Sequence, residues 1–270
     1  MTNPSADKSS ATDQESTQFG FETVTPGEKT QRVGDVFASV AESYDLMNDV
    51  MSGGVHRLWK ARFVRGLGLR PGMAVLDLAG GTGDIGFAIA QRLERLTARA
   101  DKTETHQPPV SICDINPSML AVGRDRAVDR GLVEAVTWSC GNAEELPFDD
   151  RQFDRVTISF GLRNVTHIDK ALAEARRVLK PGGKFYCLEF SQVRMPAFRR
   201  LYDLYSFNVI PRFGQLVAKD RESYQYLVES IRQFPNQKAL VARMQETGLK
   251  RCRYENLSGG IAAIHSGWRL

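Results

Sequence analysis

Long apolar runs are missing from this chain. Its most hydrophobic stretches, such as Met73 to Leu78 and Ile261 to Ile264, fall far short of the roughly 20 residues needed to cross a bilayer, so no membrane-spanning helix is expected. Cysteine is scarce: Cys113, Cys140, Cys187 and Cys252 lie far apart, without a CxxC pair. This argues against a zinc ribbon and against a disulfide-stapled secreted scaffold, and points to a reducing compartment. His56, His106, His167 and His265 are equally scattered. No helix pairs two of them with a carboxylate at ligand spacing, so no metal is expected. A strong charge of one sign is also lacking: 36 basic and 32 acidic residues leave a net charge of +4. With both signs interspersed there is no basic stripe, which argues against nucleic acid as a partner.

What is present, 270 residues with 42% hydrophobic and 25% charged content, suffices for one large α/β domain with appendages. Residues Met1 to Thr30 are rich in Ser, Thr, Asp, Glu and Gln, broken only by the Phe19-Gly20-Phe21 island. Such a segment buries too little surface to offset its chain entropy, so a disordered tail is expected over 1–30. It has neither the apolar core of a secretory signal nor the Arg-rich, acid-poor character of a transit peptide. The catalytic domain is expected over 31–270.

From Val33 to Leu67, apolar residues at helical spacing (Val36, Phe37, Val40, Tyr44, Met47, then Leu58, Trp59, Phe63) predict a helical cap over 31–70. A strand over Ala74–Leu78, a glycine turn and a helix over Ile85–Leu96 follow. The polar stretch Thr97 to Pro109 reads as a surface insertion before the strand Val110–Asp114. Then come a helix from Ser118, strands Ala135–Cys140 and Arg155–Ser159, a helix Ile168–Leu179, a Lys180-Pro181-Gly182-Gly183 turn and a strand Phe185–Phe190. A helix over Val241–Gly248 precedes strands Lys250–Glu255 and Gly260–His265. Strands alternating with helices predict a doubly wound, mostly parallel α/β sheet of the Rossmann-like kind. The aromatic-rich Phe198 to Phe213, within an insert over 194–235, is too apolar for an exposed helix and is expected either to meet an apolar substrate tail or to pack as a lid.

Gly81-Thr82-Gly83-Asp84-Ile85-Gly86 fits GxGxxG and follows a strand, so a dinucleotide and an NAD-dependent oxidoreductase must be weighed. Against them stands Asp77 at the preceding strand end. A carboxylate there repels a pyrophosphate but suits a cation, and S-adenosylmethionine carries a sulfonium and an amino group and no phosphate. Asp114, ending the next strand, can accept from both ribose hydroxyls. Asn142 and Ala143 follow a third strand end and offer polar groups to an adenine edge. Three strand ends converging on one crevice define the expected cofactor site: Asp77, Gly81, Thr82, Gly83, Asp114, Asn142, Ala143 and Ser159.

The runs Phe37 to Asp49, Asp77 to Asp84 and above all Ile158-Ser159-Phe160-Gly161-Leu162-Arg163-Asn164-Val165-Thr166 resemble the UbiE-type ubiquinone/menaquinone biosynthesis C-methyltransferases, class I S-adenosylmethionine-dependent enzymes. Cys187 to Val193, Ser223 to Ile231 and Ala263 to Gly267 look like the eukaryotic mitochondrial members, which methylate 2-methoxy-6-polyprenyl-1,4-benzoquinol. The resemblance implies that Thr82, Asp114, Asn142, Ala143 and Ser159 bind the cofactor. It implies catalytic roles for Arg163, Asn164 and Tyr44: an arginine is a poor literal base, so Arg163 is expected to stabilise a phenolate or polarise a water that Asn164 and Tyr44 hold. It also implies a polyprenyl benzoquinol substrate, other quinone-biosynthesis enzymes in a complex, a homodimer, and peripheral contact with the matrix side of the mitochondrial inner membrane; Arg194, Arg199, Arg200 and Arg212 around the aromatic insert are placed to touch an anionic bilayer surface or simply to solvate that face. A membrane-associated enzyme of a bacterial cytoplasm, a demethylmenaquinol substrate and a silent scaffold remain as alternatives.

Overall fold

A computed structural model describes residues 16–39, 49, 52, 54–100, 107–192 and 221–270. Tyr44 and the aromatic run 198–213, with its flanking arginines, lie outside the described residues.

Residues 16–30 depart from the expected disorder. Thr17–Phe19 (β1) and Glu22–Val24 (β2) pair as an antiparallel hairpin, and helix α1 spans Pro26–Ser39. The helix starts on a capping box: Glu28 N–H donates to Thr25 Oγ1 at 3.3 Å while Thr25 N–H donates to Glu28 Oε2 at 2.8 Å. The hairpin is held by a tertiary contact, the Phe19 ring stacking on Tyr226 at 4.2 Å. Helix α2 (His56–Gly66) completes the described part of the expected cap and buries Trp59 and Phe63.

Behind the cap, β3 (Val75–Leu78), α3 (Asp84–Arg99), β4 (Val110–Asp114), α4 (Pro117–Asp129), β5 (Val136–Cys140), β6 (Phe153–Ser159), α5 (Ile168–Val178) and β7 (Leu179–Phe190) alternate as expected. Helices α6 (Arg221–Gln233) and α7 (Gln237–Glu246) and strands β8 (Lys250–Leu257) and β9 (Ala262–Trp268) follow. The seven-stranded sheet has the order β5-β4-β3-β6-β7-β9-β8, with β3 to β7 pairing in parallel and β9 antiparallel to both neighbours. Strand β8 forms an edge and carries outward Lys250, Arg251 and Arg253, which discourages pairing with another chain.

Side chains alternate between two cores. Along β7, Tyr186, Leu188 and Phe190 join Trp59, Phe63 and Ile89 on one face, while Phe185 and Cys187 join Leu172, Leu240 and Met244 on the other. Helices therefore cover both faces, as a parallel sheet requires. The expected Lys180–Gly183 turn is instead a bulged entry into β7. There Gly182 N–H donates to Arg269 O at 2.7 Å, and Arg269 N–H donates to Gly183 O at 2.9 Å. The Arg269 guanidinium reaches the carbonyls of Arg176, Arg177 and Leu179, satisfying the end of α5. The strand order reverses between β3 and β6, so a crevice opens above their carboxyl ends, where open α/β sheets bind ligands.

Candidate active site

The crevice is lined by the ends of β3, β4, β5 and β6 below and by Thr30, Val33, Gly34 and Phe37 of α1 above, enclosing about 1080 Å³ of partly solvent-open space. Asn116 ties the roof down, its Nδ2 donating to Gly34 O at 3.1 Å while its Oδ1 caps α4 through Ser118 N–H and Met119 N–H.

Asp77 is 1% exposed. Its Oδ1 accepts from Thr157 Oγ1 at 2.8 Å, while its Oδ2 makes no hydrogen bond of good geometry and has only the Gly86 N–H nearby. Burial pushes this carboxyl up to about 7 against the opposing pull of the Thr157 hydroxyl. A buried, under-coordinated carboxylate oxygen in a cleft wall fits a cationic ligand and opposes a pyrophosphate. Asp114 holds the glycine loop to the start of α4: Oδ2 accepts from Gly81 N–H at 2.9 Å and Oδ1 from Asn116 N–H at 2.8 Å. Each oxygen keeps a lone pair for a ribose hydroxyl, and burial raises this carboxyl as well.

Backbone geometry brings these strand ends close. Ala79 after β3 and Phe160 after β6 take positive φ of 50° and 55°, a conformation that costs a non-glycine residue about 1 kcal/mol or more. A Cβ on Gly161 would stand 2.6 Å from Ala79 Cβ, so the two crests touch only because residue 161 is glycine.

Of the residues expected to bind cofactor, Asp77, Gly81, Thr82, Asp114, Asn142, Ala143 and Ser159 all line the cleft. Ser159 Oγ is buried without a hydrogen-bond partner among the described residues. Gly83 is the exception. It begins α3 with φ 85°, and a Cβ there would press on Phe87 at 2.8 Å and Trp138 at 2.9 Å. Its role is the turn and the packing beneath it, and it is not among the lining residues.

The expected catalytic pair separates. Arg163 and Asn164 share a 3₁₀ turn, Leu162–Asn164, after β6. Asn164 lines the cleft. Arg163 does not: it lines a second, polar cavity with Lys29, His167, Tyr226, Ser230 and Arg243. Its Nη1 donates to Glu189 Oε1 at 2.9 Å and to the Phe160 carbonyl. That nitrogen is therefore committed to a buried carboxylate and to the carbonyl of the left-handed Phe160, and the structure does not bring Arg163 to the cleft in which a phenolate was expected to meet it. Glu189 also accepts from Arg163 N–H and Phe190 N–H. Burial raises its pKa while the Arg163 charge opposes that rise.

Several site residues escape sequence reasoning. Lys60 of α2 meets Asp84 at 2.7 Å on the cleft wall. Burial would raise the Asp84 carboxyl, but Lys60 overcomes it and holds it below the usual carboxylate value. Tyr226 of α6 donates its hydroxyl to Asn164 Oδ1 at 3.1 Å. Glu189 had a visible signal, a lone carboxylate inside the apolar run Phe185 to Phe190, because a buried charge demands a partner.

The model of the ubiE/COQ5 methyltransferase family matches residues 25–269. The chain belongs to that family. Among the relatives of this ubiE/COQ5 member is the mitochondrial 2-methoxy-6-polyprenyl-1,4-benzoquinol methylase of Arabidopsis thaliana, 54% identical over 94% of this chain and 90% of that one. The mouse protein of the same name is 52% identical over 94% and 84%. The ubiquinone/menaquinone biosynthesis C-methyltransferase UbiE of Brucella abortus is 52% identical over 93% and 90%. A SAM-dependent methyltransferase from Thermotoga maritima superposes with a TM-score of 0.58 at 18% identity, over 88% of this chain and all of that one. One from Aquifex aeolicus gives 0.57 at 14%, over 86% and 98%. These two establish the class I Rossmann-like fold. The ubiE/COQ5 protein is an S-adenosylmethionine-dependent C-methyltransferase, which sets aside the NAD-dependent reading, and the under-coordinated Asp77 oxygen with Asp114 and the glycine loop fits that cofactor.

Proposed function

We propose that this enzyme methylates a ring carbon of 2-methoxy-6-polyprenyl-1,4-benzoquinol in ubiquinone biosynthesis. The observation that carries this reading is the mixed lining of the cleft. One cleft is lined both by the carboxylates Asp77 and Asp114 and by the apolar Phe37, Phe160 and Val165 together with Asn164. The names of the plant, animal and bacterial relatives support the same substrate class.

S-adenosylmethionine, when bound, supplies an electrophilic methyl group. The ring carbon becomes nucleophilic when a neighbouring hydroxyl loses its proton, so the acceptor is the quinol and not the quinone. In this reading Asp77 meets the positive end of the cofactor and Asp114 its ribose, with Thr82, Asn142, Ala143 and Ser159 along the nucleoside. Asn164 faces the acceptor oxygen. Arg163 acts at one remove by holding Phe160 and the 3₁₀ turn in place, and Tyr44 holds the water that receives the hydroxyl proton. Transfer of the methyl to the ring carbon would release the neutral thioether, and the ring proton displaced there would pass to the neighbouring ring oxyanion through water, restoring the aromatic quinol.

The same reading includes peripheral association with the matrix side of the mitochondrial inner membrane, a homodimer, and assembly with other quinone-biosynthesis enzymes. Among the described residues no helix is long and apolar enough to cross a membrane. Demethylmenaquinol is a second acceptor suggested by the combined ubiquinone/menaquinone name of the Brucella relative. The test is methyl transfer from labelled S-adenosylmethionine to a short-chain 2-methoxy-6-prenyl-1,4-benzoquinone, with and without a reductant. Ring label that depends on reduction is expected. Absence of label despite cofactor binding overturns the acceptor and moves the test to demethylmenaquinol.

A further inference from the structure

Asn164 stands between two cavities, and its amide has two chemically opposite ends. One is an oxygen that only accepts, the other a nitrogen that only donates. Which end meets the acceptor decides whether this side chain draws a proton from a quinol hydroxyl or stabilises the oxyanion left behind. In the structure the Tyr226 hydroxyl engages the oxygen end. This residue is 4% exposed, sits on α6 and lines the second cavity and not the cleft. Its hydroxyl donates to Asn164 Oδ1 at 3.1 Å. With Oδ1 accepting from Tyr226, Nδ2 is the end of the amide that has no hydrogen-bond partner among the described residues, and Asn164 lines the cleft.

We infer that Tyr226 is a positioning residue for methyl transfer, fixing the Asn164 amide so that it presents N–H donors to the oxygen of the acceptor ring. The inference deepens the proposed quinol reaction and rests on that reading for the identity of the acceptor.

Three further observations agree with a built device. The ring of Tyr226 is clamped: Phe19 stacks on it at 4.2 Å with an interplanar angle of 15°. The hairpin carrying Phe19 is fastened to α6 through Phe21 N–H donating to Glu229 Oε2 at 3.2 Å. The hydroxyl remains a hydroxyl, since burial pushes its pKa up to about 12, so it stays a donor at every pH at which the enzyme works. Asn164 itself is anchored by its backbone N–H to Gly161 O at 3.1 Å, so rotation of the side-chain amide is the freedom left for Tyr226 to remove. Fixed donors aimed at developing negative charge lower a barrier without reorganising during the reaction.

The experiment compares the full-length wild type with Tyr226→Phe, Asn164→Ala and the double variant. Kinetics are measured across pH with the reduced short-chain acceptor. Tyr226→Phe keeps the ring and its stack, so an unchanged melting temperature is expected. Its kcat is expected to fall about tenfold, with the KM for S-adenosylmethionine unchanged and the acidic limb of the kcat profile moved to higher pH. The double variant is expected to be no slower than Asn164→Ala, because the hydroxyl acts only through the amide. A wild-type kcat and pH profile in Tyr226→Phe, or additive losses in the double variant, overturn the inference. The orientation is also read without any acceptor from the side-chain NH₂ signals of Asn164 in 15N-labelled protein, assigned by their loss in Asn164→Ala. Signals that shift or broaden in Tyr226→Phe support the inference, and unchanged signals overturn it even if the quinol proves to be the wrong acceptor. Failure of wild-type turnover on the quinol, by contrast, overturns only the acceptor.

Discussion

Glu189 Oε1 lies 2.9 Å from Arg163 Nη1, and the two side chains are 0% and 2% exposed. A pair so deeply buried gains little net stability over a well-packed apolar pair, but losing either member strands the other charge. The same arginine holds the Phe160 carbonyl, so the pair sets the shape of the β6 crest at which Ser159 and Asn164 meet the cleft.

Removing one member is therefore expected to cost far more than removing both. Arg163→Met alone should lower the unfolding free energy by about 3–5 kcal/mol, read from urea denaturation. Arg163→Met with Glu189→Leu should recover most of that loss while turnover stays low, because the Phe160 carbonyl has lost its donor in both. Full stability in the single variant would mean that Glu189 finds another partner.

Asp77 gives cofactor binding a defined pH dependence. Its carboxyl titrates at about 7, and the ionised form is the one that suits a sulfonium and an ammonium. Affinity for S-adenosylmethionine is expected to fall about tenfold per unit as pH drops below 7 and to level off just above it. Calorimetric titrations between pH 5.5 and 7.5 test this, with Asp77→Asn expected to bind weakly and without the slope. A flat wild-type profile would remove Asp77 from contact with the cationic end.

Two buried groups pull apo stability in opposite directions over the same pH range. Asp77 is raised from 3.8 to about 7. The native state keeps its proton longer than the unfolded chain does, and its contribution, full below 3.8, is lost as pH rises towards 7. His265, 0% exposed, is depressed from 6.5 to about 4 by burial, which outweighs the opposing pull of the Gln237 backbone. Its contribution is full above 6.5 and is lost as pH falls towards 4. Between pH 4 and 6.5 the two slopes offset each other. Relative to wild type, His265→Gln is expected to make stability decline with rising pH by about 1.4 kcal/mol per unit, and Asp77→Asn to make it increase by the same amount. Denaturant melts at pH 4.5 and 6.5 read both signs.

The floor of the site was legible in the sequence because strand ends announce themselves. A buried strand that finishes on a carboxylate, as at Asp77 and Asp114, or opens into glycines, as at Gly80 and Gly81, leaves few other interpretations. The expected strands agree with the observed ones to within a few residues for the same reason. The roof was not legible. Averaging polarity over 1–30 hid the capping box Thr25-Pro26-Gly27-Glu28, a local signal, and it hid the hairpin because Phe19 is held by Tyr226, more than 200 residues away along the chain. The direction of Arg163 was likewise hidden, since the pattern Phe160 to Thr166 gives adjacent residues no indication of which cavity each enters. That choice is made by Glu189, on another strand.

The contact between the β3 and β6 crests allows a contrast between two glycines. A Cβ at Gly161 meets Ala79 Cβ at 2.6 Å. That atom is fixed to its own backbone and cannot rotate aside, so Gly161→Ala must spread the two strand ends. A loss of about 1–3 kcal/mol is expected, as for overpacking elsewhere. Because Asp77, Ser159 and Asn164 flank these crests, weaker cofactor binding and lower kcat are expected together. Gly27 lies in the first turn of α1, and a Cβ added there would meet nothing within 4 Å, so Gly27→Ala should be neutral or stabilising by up to about 1 kcal/mol through helix propensity alone. Thermal melts of both variants with parallel cofactor titrations decide the matter. Equal effects at the two sites would mean that the crests are not in contact, whereas a loss confined to Gly161→Ala ties the approach of the strands directly to the assembled site.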